Sequence, residues 1–124
     1  MMKSGTYYIG DLCYVLGGEV WDEVCYLHYA HGCGQLTLKD GREIAIYSTK
    51  FGDGEFDGVM VDSGTIGCIL LDDIAELTSH RGIKVVKFDR DFYTSEKSGL
   101  ISFGHISINT DDSHEYDDYD SSEE

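Results

Sequence analysis

The chain has 124 residues, with 24 Asp and Glu against 9 Lys and Arg and a formal net charge of −15. That balance argues against direct nucleic-acid binding, which takes clustered Lys and Arg to displace counterions from the phosphate backbone. No apolar run approaches the roughly 20 residues of a membrane span, and the opening MMKSGTYYIG lacks the apolar stretch of a signal peptide. The expectation is therefore a cytoplasmic protein with no membrane partner. Cys13, Cys25, Cys33 and Cys68 read as free thiols, with two disulfides in a secreted protein as the alternative.

Proline is absent, and 15 glycines cut the chain into short apolar runs. TYYI (6–9) reads as a strand ended by Gly10 and Asp11, and CYVL (13–16) as a second ended by Gly17 and Gly18. From Glu19 to Tyr29 the period changes. Val20, Trp21, Val24, Leu27 and His28 recur at three- and four-residue spacing, which predicts an amphipathic helix. Glu19, Asp22 and Glu23 fall in its first turns, where the helix dipole favours acids.

QLTL (35–38), a KDG turn and REIAIY (42–47) predict a hairpin. A second follows at 54–61, where Asp57 and Gly58 suit a two-residue type I′ turn between GEF and VMV. The run from Gly64 to Leu71 predicts a strand, DDIAEL (72–77) a short helical turn with Asp72 as its N-cap, and IKVVKF (83–88) and LISF-GHISI (100–108) the closing strands. The expected fold is mainly β, bordering on α+β. It is a compact antiparallel sheet, roll-like or barrel-like, with one helix near 19–29. Residues 1–110 form one domain, followed by a disordered acidic tail at 111–124.

Four clusters invite a chemical reading. Cys25, His28, His31 and Cys33 offer zinc-type ligands within nine residues, but their spacing matches no common zinc pattern. The plainer reading is a half-buried helix end, with no metal and no cofactor. GDGEFDG (52–58) alternates Asp53, Glu55 and Asp57 like the start of a calcium loop, yet Gly64 stands where the bidentate Glu belongs, and the hairpin is preferred. Cys13, Cys68 and Ser63 are candidate nucleophiles, with His80 and His105 as distant bases; an inert buried thiol is the default for Cys68. Asp11 with Asp62 forms a possible carboxylate pair, though aspartates beside glycine usually serve turns.

The acidic end is the most distinctive segment. Residues 111–124 carry Asp111, Asp112, Glu115, Asp117, Asp118 and Asp120 among their eight acids, and no base. Such a run reads as a solvated tail or as a ligand for a partner protein with a basic surface, competing for the Lys and Arg that would hold nucleic acid.

Two stretches, GTYYIGDLCYV (5–15) and VDSGTIG (61–67), with Gly52-Asp53-Gly54 between them, resemble a family of small uncharacterised proteins of bacteriophages, large DNA viruses and some bacteria. The family pattern reads YIGDPCYV and then VDAG or VDSG; this chain has Leu12 in place of the proline. The resemblance implies a β-rich fold and a viral source, and would place a binding site at Asp11, Cys13, Asp53 and Asp62. The function expected first is a non-enzymatic acidic interaction module that acts on a host protein by nucleic-acid-like mimicry. The alternative is a small-ligand-binding protein or enzyme with a pocket around Asp11, Cys13 and Asp62.

Overall fold

A computed structural model describes residues 1–74 and 84–111. The apolar runs become strands, in chain order β1 (Gly5–Gly10), β2 (Gly34–Thr37), β3 (Glu43–Ser48), β4 (Gly54–Phe56), β5 (Val59–Val61), β6 (Thr65–Leu70), β7 (Lys84–Phe88), β8 (Thr94–Lys97), β9 (Leu100–Phe103) and β10 (Ile106–Asn109). The helix α1 spans Gly18–His31. Among the described residues all strand pairs are antiparallel, as expected.

The central layer is a five-stranded sheet in the order β2-β3-β6-β1-β7. Both of its faces are covered, which explains why TYYI, EIAIY and TIGCIL are nearly continuous apolar runs without strict alternation. On one face Tyr8, Ile44, Ile46 and Ile69 pack with Leu12 and Leu16 and with the α1 residues Val20, Trp21, Val24 and Leu27. On the other, Tyr7, Ile9, Tyr47, Ile66 and Cys68 meet Phe56, Val59 and Val61 of the β4–β5 hairpin and Ile101, Phe103 and Ile108 of a three-stranded sheet, β10-β9-β8. Among the described residues the sheets stay open, with β2 and β7 as edges of the central one. Closure is not needed, because the helix and the smaller sheet bury the two faces instead.

The predicted helix and both predicted hairpins form. Asp57 takes φ 50° and Gly58 φ 84°, the left-handed pair that a type I′ turn requires. CYVL is not a strand. Leu12–Tyr14 form a 3-10 turn that starts at Asp11, whose side chain accepts the Cys13 N–H. The apolar run misled because Leu12 must drop onto β6 rather than pair with it. A side chain at Gly67 would come within 2.8 Å of Leu12 Cδ1 and 2.5 Å of the Ala45 carbonyl oxygen, so only glycine permits this approach.

Asp72 lies inside a 3-10 turn, Leu71–Asp73, whose N-cap is Leu70, so it caps nothing with its side chain. The remainder of DDIAEL and the candidate base His80 lie outside the described residues. So do Asp112, Glu115, Asp117, Asp118 and Asp120. Among the described residues no helix is long and apolar enough to cross a membrane.

Candidate functional site

The site is built outward from one buried carboxylate. Asp11 closes β1 and is fully buried. Its Oδ1 accepts the Cys13 N–H at 3.0 Å and the Ser63 hydroxyl at 2.8 Å; its Oδ2 accepts the N–H groups of Asp62 at 2.7 Å and Ser63 at 2.6 Å. Two of these hydrogen bonds fall on each oxygen and hold the carboxylate in place. The Asp11 carbonyl in turn accepts the Tyr8 hydroxyl at 2.8 Å. Asp11 is therefore a positioning group, which pins the turn before β6 to the turn after β1.

The segments that carry the sequence resemblance meet here. Asp62 follows β5 with its carboxylate exposed, accepting the Tyr14 hydroxyl at 2.7 Å. Burial, then that hydrogen bond, raise the Tyr14 phenol above its ordinary range. Cys13 is partly buried; burial, then its hydrogen bond to Asp11, push its thiol up to about 12, so it stays protonated at neutral pH. Asp53 lies beside the same turn, 3.9 Å from where a Cβ on Gly64 would stand, and the Thr49 N–H bonds the Gly64 carbonyl at 2.9 Å. Asp11, Cys13, Asp53 and Asp62 thus gather around one pair of loops.

The adjoining cleft of about 480 Å3 opens between α1 and the sheet, and its lining is different from that set. Trp21, Cys25, His28 and Tyr29 come from α1, Ile46 from β3, and Ser63 and Thr65 from the pinned turn and β6. Trp21, Cys25 and His28, spaced four and three residues apart, share one side of α1, and Tyr29 stands exposed at the rim. Ser63 and Thr65 hydroxyl oxygens are 2.6 Å apart. Since Ser63 donates its proton to Asp11, Thr65 must donate to Ser63, and the Thr65 oxygen offers the cleft only lone pairs.

At one end of the cleft, α1 terminates at Gly32, whose φ of 84° reverses the chain and whose N–H bonds the His28 carbonyl at 2.8 Å. The reversal brings the Cys33 sulfur to 3.4 Å from His28 Nε2. The Ser48 N–H donates to the same sulfur at 3.4 Å, and Ser48 Oγ lies 3.4 Å from His28 Nε2. Burial lowers the His28 imidazole below its ordinary value, so the ring is neutral at physiological pH. Among the zinc-type residues, only His28 and Cys33 are in contact. Cys25 lines the cleft one turn earlier, His31 is exposed, and no group of three metal-ligating side chains occurs among the described residues.

The remaining candidates are dispersed. Cys68 lies inside β6, where burial pushes its thiol up to about 12. His105 packs edge-on against Phe88, 5.4 Å between ring centroids, in the three-stranded layer. Glu55 is exposed on β4, and Asp57 accepts the Asn109 N–H at 2.7 Å, tying the hairpin to β10. Asp111, the first acid of the C-terminal run, is ion-paired with Lys50 at 2.8 Å. All four cysteines are free thiols.

The contact of His28 with Cys33 was not foreseen as a thiol–imidazole pair. Its signal was the H-x-x-x-G-C spacing across a helix end, where a left-handed glycine folds position i+5 back onto the last turn. No family model, curated protein or solved structure matches this chain.

Proposed function

We propose that this protein binds a small organic ligand in the cleft between α1 and the β3–β6 face. The observation that carries the reading is the lining: the Trp21 indole and Ile46, with the exposed Tyr29 ring at the rim, beside a hydroxyl pair that Asp11 locks in one orientation. The volume suits a small molecule, and apolar walls with a few fixed polar groups are the usual make-up of such sites. The ligand is one with a ring or short apolar chain for Trp21 and Tyr29 and a hydroxyl, amine or amide N–H for the lone pairs of Thr65.

Trp21 is the chain's one tryptophan, so its fluorescence reads the cleft directly. p-Cresol, which has both a ring and a hydroxyl donor, is expected to change that fluorescence saturably, with a Kd of about 1 mM or tighter. Thr65→Val is expected to weaken the response, and toluene, which has no donor, to bind less well than p-cresol. The absence of a saturable response to p-cresol would refute the reading.

A second reading keeps the acidic surface as a docking face for a basic partner protein. Its support is that the described residues show two ion pairs, Arg42 with Asp40 and Lys50 with Asp111, although 16 of the chain's 24 acids lie among those residues. Polylysine is the test probe: binding is expected to fall steeply with salt and to weaken when residues 111–124 are removed. Affinity that survives both changes would dismiss it.

A further inference from the structure

The cleft does not explain why a cysteine, a neutral imidazole and a serine converge at its end. Cys33 is exposed, while the His28 ring reaches from the cleft lining to the Cys33 sulfur at 3.4 Å. The Ser48 N–H also points at that sulfur, as a donor that would stabilise negative charge on it. The Ser48 hydroxyl lies 3.9 Å from the sulfur and 3.4 Å from the imidazole. Ser48 is fixed because it pairs directly with Thr65 across β3 and β6. A nucleophile, a base in contact with it and a backbone donor aimed at the sulfur are the parts of an activated thiol.

The other thiols lack this arrangement. Cys13 is hydrogen-bonded to the buried Asp11 carboxylate, and Cys68 is enclosed in the sheet. Cys25 is exposed, but burial of its thiol and then the nearby Asp22 and Asp11 raise it above its ordinary range.

We propose that Cys33 is a nucleophile, with His28 as its proton acceptor, that takes an acyl group from an activated ester or thioester seated in the α1 cleft. This deepens the cleft reading and rests on it. The Cys33 sulfur attacks the carbonyl carbon, forming a C–S bond, while its proton passes to His28 Nε2. The bond from that carbon to the ester oxygen or thioester sulfur breaks, and the proton moves from His28 to the departing group. An alcohol or thiol leaves, Cys33 carries the acyl group as a thioester, and no electrons are gained or lost. The ring or chain of the donor occupies the space between Trp21, Tyr29 and Ile46, and the Ser48 hydroxyl is placed to donate to the carbonyl oxygen as charge develops there.

The test is acylation by p-nitrophenyl acetate, followed by p-nitrophenolate release and by mass spectrometry that assigns the acetyl group to each cysteine. Cys25, the second exposed thiol, is the internal control. Cys33 is expected to acylate at least about tenfold faster than Cys25 and to account for the initial burst. His28→Gln is expected to slow Cys33 by roughly 100-fold, the usual worth of a positioned base, and to remove its rate advantage over Cys25. Equal rates at the two cysteines, or a Cys33 rate indifferent to His28→Gln, would overturn the proposal. p-Cresol titration of Trp21 separates the two readings. Normal p-cresol binding with unselective acylation sinks the thiol alone. Selective acylation by a protein that does not bind p-cresol removes the cleft and overturns the mechanism as stated.

Discussion

Asp11 accepts both the backbone N–H and the hydroxyl of Ser63, at 2.6 and 2.8 Å, across 52 residues of sequence. One buried side chain thereby fixes the turn before β6 and the direction of the hydroxyl chain that runs from Thr65 to Ser63. The polarity that the cleft presents to a ligand follows from a carboxylate that the ligand never touches.

Replacing Asp11 should be costly. Asp11→Ala leaves the N–H groups of Cys13, Asp62 and Ser63 without their acceptor in a buried site, at about 1–3 kcal/mol for each group that water cannot reach. A loss of about 3 kcal/mol or more in urea-denaturation stability is the expected outcome. Asp11→Asn should lose a comparable amount, since an amide NH2 would face donors in place of one oxygen. A midpoint unchanged in both variants would mean that the two turns are held some other way.

Gly67→Ala tests the approach of Leu12 to β6. The added methyl meets the Ala45 carbonyl oxygen at 2.5 Å and Leu12 Cδ1 at 2.8 Å, and a strand carbonyl cannot move without breaking the β3–β6 ladder. Overpacking of this kind costs about 1–3 kcal/mol. Leu12→Ala should recover part of that loss in the double variant, because it removes one of the two obstructions.

His28 should make stability depend on pH with a definite sign. Its folded pKa lies below the ordinary 6.5 because burial disfavours the charged ring. As the pH falls through about 6.5, the unfolded chain takes up a proton that the folded chain refuses, so unfolding is favoured. The contribution is intact above that value and is lost down to the folded pKa. The fall in Tm between about pH 7.5 and pH 5.5 should be smaller in His28→Gln than in the parent, and an identical slope would place the ring in water.

Asp57 serves two purposes, a left-handed turn at φ 50° and acceptance of the Asn109 N–H at 2.7 Å. Asp57→Ala removes the acceptor and disfavours the backbone, with an expected loss of about 1–2 kcal/mol. Asp57→Asn tolerates the same φ and retains a side-chain acceptor, and should cost less. Hydrogen exchange at Asn109 offers a local readout: it should quicken in the alanine variant first.

The helix, both hairpins and the buried central strands were legible because each follows from a repeat that a single segment carries. Val20, Trp21, Val24 and Leu27 mark a 3.6-residue face by themselves, and Asp57-Gly58 selects its turn without help from the rest of the chain. CYVL and TSEK were not legible. CYVL has the composition of a strand, yet it folds into a 3-10 turn because Asp11 caps it and Gly67 leaves room beneath Leu12. TSEK (94–97) is polar and exposed along most of its length, and it becomes β8 only because β9 offers it an edge.

By itself, then, the sequence determined what depends on neighbours within a few positions: strand-rich character, helix placement, turn types and the surplus of carboxylates. The tertiary structure alone decided which distant groups would meet. Asp11 was marked as a site residue, but only its burial against Ser63 turned it into a scaffold. Cys33 and His28 read in the sequence only as zinc-type residues, and the chain reversal at Gly32 and the β3–β6 register, which sets Ser48 opposite Thr65, make them a thiol–imidazole pair beside a cleft. Chemistry needs atoms about 3 Å apart, and that distance is set by how layers pack, not by how residues are spaced along the chain.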